Sequence, residues 1–246
     1  MLKSLKQSVG AIPILGPGLR WLWNWYPTYK RDPYQNLRKA FKGAKDLNVI
    51  QIGSNDGSSG DPLYRLLKRN ASWKALFIEP VPYAFKKLRN NYGSDVRFCF
   101  ENVAIGKKIE KVNFYYVSEL AKEQLSDLPY WYDQLGSFNP DHITNHLGER
   151  IRPYIVVEQV DCVPLPLILE RNHVDRIDLL HIDTEGADWM ILQQLDLDRY
   201  APDVILIEHK HLSPQEIVEM RSFLGSRYQM IQLAGDFFCR RLSTKR

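Results

Sequence analysis

The stretch Asn48-Val49-Ile50-Gln51-Ile52-Gly53-Ser54-Asn55-Asp56-Gly57 decides the fold of this 246-residue chain. A short, mostly apolar run that stops on a glycine reads as a buried strand, and the polar turn after it reads as a strand-to-helix connection. Asp61 as N-cap and Pro62 at the first helical position predict a helix over Pro62 to Arg69. Ala75 to Ile78 is the next strand, closed by Glu79-Pro80, and Pro82 to Asn90 the next helix, with Tyr83, Phe85 and Leu88 facing inward. Val96 to Phe100 is a third strand. Strand, helix, strand, helix, strand is the order of a parallel sheet joined by right-handed crossovers.

The pattern resumes after an interruption. Lys111 to Val117 and Tyr154 to Val160 are β-like, and residues 118–150 between them form a long polar and aromatic excursion. Leu165 to Glu170 predicts a helix, Ile177 to Ile182 a buried strand, Asp188 to Leu195 a helix and Val204 to Ile207 a strand. Ser213 and Glu216 form a capping box before Pro214 to Leu224. Tyr228 to Leu242 reads as a hairpin turning at Ala234-Gly235-Asp236. The fold class is therefore α/β: a doubly wound, mostly parallel, Rossmann-like sheet with a C-terminal antiparallel hairpin. Residues 46–246 form that domain, with 118–150 as a substrate lid, and residues 1–45 an arm.

In open sheets of this kind, ligands bind beyond the C-terminal strand ends. Those ends read Gly53-Ser54-Asn55-Asp56-Gly57, Glu79-Pro80, Glu101-Asn102-Val103-Ala104, Asp183-Thr184-Glu185-Gly186 and Glu208-His209-Lys210-His211. All are polar and acidic. Asn55 and Asp56 stand where a dinucleotide fingerprint favours glycine, so the first turn makes a poor pyrophosphate cradle and points to a ligand without phosphate. A carboxylate at Glu79 can accept both hydroxyls of a ribose.

The runs VIQIGSNDG (49–57), FIEP (77–80), ENVAIG (101–106) and LLHIDTEGADWMIL (179–192), in this order, resemble the FkbM family of methyltransferases. The resemblance covers about residues 48–242. It implies S-adenosylmethionine as cofactor, and a C-terminal hairpin is the ending seen in such enzymes. It assigns Gly53, Ser54, Asn55 and Gly57 to the methionine part of the cofactor, Glu79 to its ribose, and Asn102, Val103 and Ala104 to its adenine. Two positions depart from the family pattern: Gln51 replaces a usual acid, and His181 a frequent lysine. A small-molecule, glycan or natural-product hydroxyl is the acceptor the resemblance implies.

Methyl transfer from an activated sulfonium asks the protein for positioning and, with a hydroxyl acceptor, for removal of a proton. His209 is the expected base, with Asp183 orienting cofactor or substrate and Glu185 beside it. His211 and, from the excursion, Ser137 and Phe138 are expected at the acceptor. A divalent metal held by Asp183, Glu185 and His209 or His211 is an alternative arrangement. A nicotinamide oxidoreductase would share Glu79, but no third glycine accompanies it, and a non-catalytic module on the same fold would keep the same turns.

Composition narrows the classes. Hydrophobic residues make up 44% and charged residues 25%, enough apolar material for a large core. Cys99, Cys162 and Cys239 are too scattered for a disulfide framework or a zinc site, which fits a cytosolic protein. Residues 1–45 carry nine Lys/Arg against Asp32 alone, so a net charge of +4 leaves the rest of the chain acidic, and nucleic acid is not an expected partner. Trp21, Trp23 and Trp25 lie in that basic segment. Residues 1–30 thus combine the features of a peripheral membrane contact, although aromatic packing onto the domain fits them too. Pro13, Gly16, Pro17 and Gly18 interrupt their apolar run, which excludes a membrane span there.

Overall fold

The computed structural model describes residues 32–242. The expected membrane contact, residues 1–30, lies outside them. The described chain opens with α1 (Pro33–Ala40), where Asp32 Oδ1 accepts the Tyr34 N–H at 2.9 Å and Pro33 presets the first turn. Leu37 and Phe41 are buried in the same apolar cluster as Val49, Trp73, Phe77 and Phe238. The packed body therefore starts ahead of residue 46, because α1 covers part of the sheet.

Seven strands form the main sheet: β1 (Asn48–Ile52), β2 (Lys74–Ile78), β3 (Phe98–Glu101), β7 (Leu179–Ile182), β8 (Val204–Glu208), β9 (Tyr228–Gln232) and β10 (Asp236–Arg241). Their order is β3-β2-β1-β7-β8-β10-β9. All neighbours are parallel except β10, which runs antiparallel to both β8 and β9. Helices α2 (Tyr64–Arg69), α3 (Pro82–Tyr92), α6 (Leu165–Arg171), α7 (Asp188–Leu192) and α8 (Pro214–Leu224) connect the strands. Alternate residues of one strand face opposite layers, so Leu179 and Leu206 join the cluster with Trp73, while Leu180, Ile182, Ile205 and Ile207 join the one with Trp189 and Met220.

A second sheet, β4 (Ala104–Ile105), β6 (Ile155–Val163) and β5 (Glu110–Val117) in that order, stands over one end of the first. The excursion between β5 and β6 carries α4 (Ala121–Gln124) and α5 (Pro140–Leu147). It has its own small core of Val117, Leu128, Leu135, Ile143 and Ile151. Asn139 caps α5, its Oδ1 accepting the Asp141 N–H at 3.0 Å, as Asn139-Pro140 at a helix start requires.

Boundaries moved for local reasons. Asp61 Oδ1 takes the Leu63 N–H at 2.7 Å in a turn, so α2 begins at Tyr64 instead of Pro62. Asp95 forms a similar turn with Arg97, which leaves Val96 exposed and delays β3 to Phe98. Ala104–Ile105, expected as a plain turn, pairs with Cys162 and Val163. No helix among the described residues is long and apolar enough to cross a membrane.

Candidate active site

Strand order reverses at β1, which lies between β2 and β7. Register then brings three turns together: Ile52 pairs with Ile78 on one side and with Ile182 on the other. The ladder continues past the strands, with the Gly53 N–H donating to Ile78 O and the Asp183 N–H to Ile52 O, both at 3.0 Å. Gly53, Glu79 and Asp183 therefore sit side by side at the topological switch point, where open α/β sheets bind ligands. A cleft open to solvent begins there. Its lining includes Gly53, Asn55, Glu79, Val103, Ala104, Asp183, Thr184 and Glu185 from the strand ends. The second sheet and the excursion add Phe114, Asp133, Gln134, Gly136 and Phe138, so the excursion does form one wall.

Gly53 cannot be replaced by a larger residue. Its φ is +77°, and a Cβ would stand 1.7 Å from the Asp183 carbonyl oxygen. Asn55 and Glu185, each in a turn that lines the cleft, also adopt left-handed backbone, at φ 47° and 54°. Strain of this kind persists where surrounding structure over-determines it, as at ligand clamps. Glu79 is buried, and its two oxygens accept the Asn55 N–H at 2.7 Å and the Val81 N–H at 2.9 Å. Burial nevertheless dominates and pushes its carboxyl up to about 7.

Other expected cofactor residues support the cleft from behind. Ser54 is buried, and its Oγ donates to Gln51 O and accepts from the Ile78 N–H. Gly57 abuts Leu88 and Tyr92, where a Cβ would come within 2.4 Å and 2.8 Å of their side chains. Its missing side chain thus serves the packing of α3. The Asn102 amide donates to Glu79 O at 2.8 Å and Pro80 O at 3.0 Å, which fixes the turn that carries Glu79.

The turn after β7 is organised by Asp188, whose two oxygens accept the Thr184 N–H at 3.1 Å and the Gly186 N–H at 3.0 Å. It aims Asp183, Thr184 and Glu185 at the cleft. Burial, then the negative charges of Glu208, Glu185, Asp188 and Asp236, hold the Asp183 carboxyl well above the ordinary carboxylate range. Thr184 Oγ1 is buried without a partner among the described residues. Glu185 behaves oppositely. Burial opposes its ionisation, but hydrogen bonds from His142 and His211 and their positive charge outweigh that cost and bring it down to about 2. In return, the bond to Glu185 raises His211.

The histidines divide in a way the sequence did not indicate. His211 reaches Glu185 at 2.9 Å, just behind the cleft wall. His209 does not line the cleft; its ring packs on Phe237 with centroids 4.3 Å apart. Of the two acceptor-side residues expected in the excursion, Phe138 lines the cleft and stacks edge-on against Phe114. Ser137 instead exchanges backbone hydrogen bonds with Tyr115, which ties the excursion to β5. Sequence reasoning missed Asp133, Gln134 and Gly136, for which no motif exists. It also gave His142 and His146 no role, although their i, i+4 spacing after Asn139-Pro140 puts both on one helix face.

A parallel sheet with a switch-point cleft and a β10 inserted antiparallel between β8 and β9 is the architecture of the class I methyltransferases. The profile of the methyltransferase FkbM domain matches residues 51–232, and the chain belongs to that family. No curated protein matched the chain. Among solved structures, a methyltransferase from Geobacter sulfurreducens is 12% identical at a TM-score of 0.40, covering 99% of this chain and 97% of its own. A precorrin-6y C5,15-methyltransferase from Geobacter metallireducens is 13% identical at 0.37, covering 84% and 85%. The fibrillarin pre-rRNA processing protein of Methanococcus jannaschii is 10% identical at 0.38, covering 80% and 67%.

Proposed function

We propose that this protein transfers the methyl group of S-adenosylmethionine to a hydroxyl oxygen of a small-molecule, glycan or natural-product acceptor. The observation that carries the cofactor assignment is the charge of the cleft. Glu79, Asp133, Asp183 and Glu185 line it, and among the described residues no Lys or Arg does. At an effective dielectric near 20, one carboxylate about 8 Å from a unit charge contributes roughly 2 kcal/mol. That sign favours a sulfonium cation and opposes a pyrophosphate. The buried Glu79 and Asp183 resist ionisation in the free chain, and a cation beside them offsets that resistance.

The residues present fit the cofactor. Glu79 would accept the ribose hydroxyls, Gly53 and Asn55 would border the methionine part, and Val103, Ala104 and Ile105 offer an apolar wall to the adenine. S-adenosylmethionine supplies an already activated methyl group, so the chain's own work is to orient the acceptor, exclude water and hold its proton. Asp183 is the group we assign to that proton. It lines the cleft, and its raised proton affinity makes it a stronger proton acceptor than an ordinary carboxylate. Phe138 and Phe114 give the acceptor an apolar face.

Calorimetry with S-adenosylhomocysteine and NAD tests the cofactor, and transfer of labelled methyl to a panel of hydroxylated acceptors tests the reaction. Tight S-adenosylhomocysteine binding without NAD binding is expected. Asp183→Asn should lower turnover about 10²–10⁴-fold, with little change in affinity for S-adenosylhomocysteine, whose sulfur carries no charge. Preferential NAD binding would overturn the proposal. Full activity in Asp183→Asn with loss in His209→Ala would move the base to His209.

A further inference from the structure

Half of the chain's six histidines converge on one point beside the cleft. Helix α5 presents His142 and His146 one turn apart, with ring centroids 4.5 Å from each other. The segment after β8 brings His211 against both, at 4.7 Å and 5.0 Å. A nitrogen from each of the three lies within 4.8 Å of the others. Into the same space Glu185 puts one oxygen, Oε2, which is 2.9 Å from His211 Nε2 and 3.3 Å from His142 Nε2.

Two further features point to a ligand and away from a plain ion-pair network. His146 Nδ1 lies 2.7 Å from the His142 carbonyl oxygen, to which it must donate. That bond leaves the lone pair on Nε2, the arrangement in which a backbone carbonyl orients a metal-ligating imidazole. Glu208 is buried, with one oxygen taken by Lys210 at 2.8 Å. Its other oxygen, 3.8 Å from His211 Nε2, has no hydrogen-bond partner among the described residues. A buried, unsatisfied carboxylate oxygen is costly unless something cationic completes its surroundings.

We propose that His142, His146, His211 and Glu185 bind one divalent transition-metal ion, with Glu208 as an outer carboxylate. Three imidazoles and one carboxylate suit Zn²⁺, Co²⁺, Ni²⁺ or Fe²⁺ and do not suit the all-oxygen preferences of Mg²⁺ and Ca²⁺. Ligand distances near 2 Å require the three nitrogens, which lie within 4.8 Å of one another, to draw together around the ion. Because Glu185 also lines the cleft, the ion stands at its acceptor end, where it would make a hydroxyl brought to it more acidic. Only that consequence rests on the methyl-transfer reading; the ion site itself does not.

Titration of chelator-treated, full-length protein with Zn²⁺ in a calorimeter, and with Co²⁺ followed by visible absorption, tests the site without cofactor or acceptor. One ion per chain and the absorption bands of low-coordinate Co²⁺ are expected. His146→Ala alters an exposed position on α5, so it should fold, and it should weaken binding about 10–100-fold, as should His211→Asn. His173→Asn, on an exposed loop elsewhere, should bind as the wild type does. Absence of stoichiometric binding, or wild-type affinity in both cluster variants, would overturn the proposal. S-adenosylhomocysteine calorimetry on the same samples separates the two readings. Cofactor binding without metal binding removes only the ion site; metal binding without cofactor binding removes only the methyl-transfer reading.

Discussion

Replacement of Glu79 by Gln tests the structural and the functional account of the cleft together. In the folded chain the carboxylate holds the N–H groups of Asn55 and Val81, but burial raises its protonation from an ordinary 4.5 to about 7. That displacement is worth roughly 3 kcal/mol through proton linkage. Below about pH 4.5 the carboxyl is protonated in both folded and unfolded chains, and its contribution to stability is complete. As pH rises through 7, the unfolded chain ionises at less cost and the contribution is lost. The variant's glutamine does not titrate. It keeps one acceptor oxygen but turns an amide N–H₂ toward the second backbone donor, at a cost of about 1–3 kcal/mol. The wild type should therefore exceed Glu79→Gln in stability at pH 5, and the difference should shrink or reverse by pH 8. Chemical denaturation across that range measures it. Affinity for S-adenosylhomocysteine should fall by roughly 1–3 kcal/mol, or about 5–150-fold, because charge-assisted bonds to the ribose are lost. Wild-type binding near pH 6.5 should also release a fraction of a proton, seen as a buffer-dependent heat that the variant lacks. Parallel stability curves would refute the buried-carboxyl argument. Equal ligand affinity in the two folded proteins would refute the ribose assignment.

Two other outcomes follow from the core. Gly53→Ala places a Cβ 1.7 Å from the Asp183 carbonyl at a φ of +77°, so it should cost more than about 3 kcal/mol and yield little folded protein by circular dichroism, whereas an exposed glycine such as Gly43→Ala should remain folded. His181 is fully enclosed in β7, and burial lowers its protonation to about 4. A buried neutral imidazole contributes its stability above about pH 6.5 and loses it as pH falls toward 4, in total roughly 3 kcal/mol. His181→Gln, unable to titrate, should show a shallower acid limb in denaturation midpoints; an unchanged limb would mean another group sets it.

The main sheet was legible in the sequence because its strands are short apolar runs ended by polar turns, and those signals are local. β1, β2, β7 and β8, the capped helix α8 and the terminal hairpin all follow from periodicity and capping. The carboxylates at the strand ends were legible for the same reason: strand ends in such sheets are where ligands bind, so Glu79, Asp183 and Glu185 could be named as cleft residues. What only the tertiary structure decided is which side chains meet across distant segments. His209 and His211 are two residues apart, yet one packs on Phe237 and the other reaches Glu185, because the chain turns as it leaves β8. Ser54 and Gly57 carry motif positions, but the neighbouring strand and α3 claim them for packing. Asp133 and Gln134 reach the cleft only because β5 and β6 pair and fold the excursion over it. His142 and His146 meet His211 across 65 or more residues through the same docking. Local sequence sets backbone propensities within a few residues, while contacts at such separations depend on how whole elements pack. No single stretch of the chain encodes that.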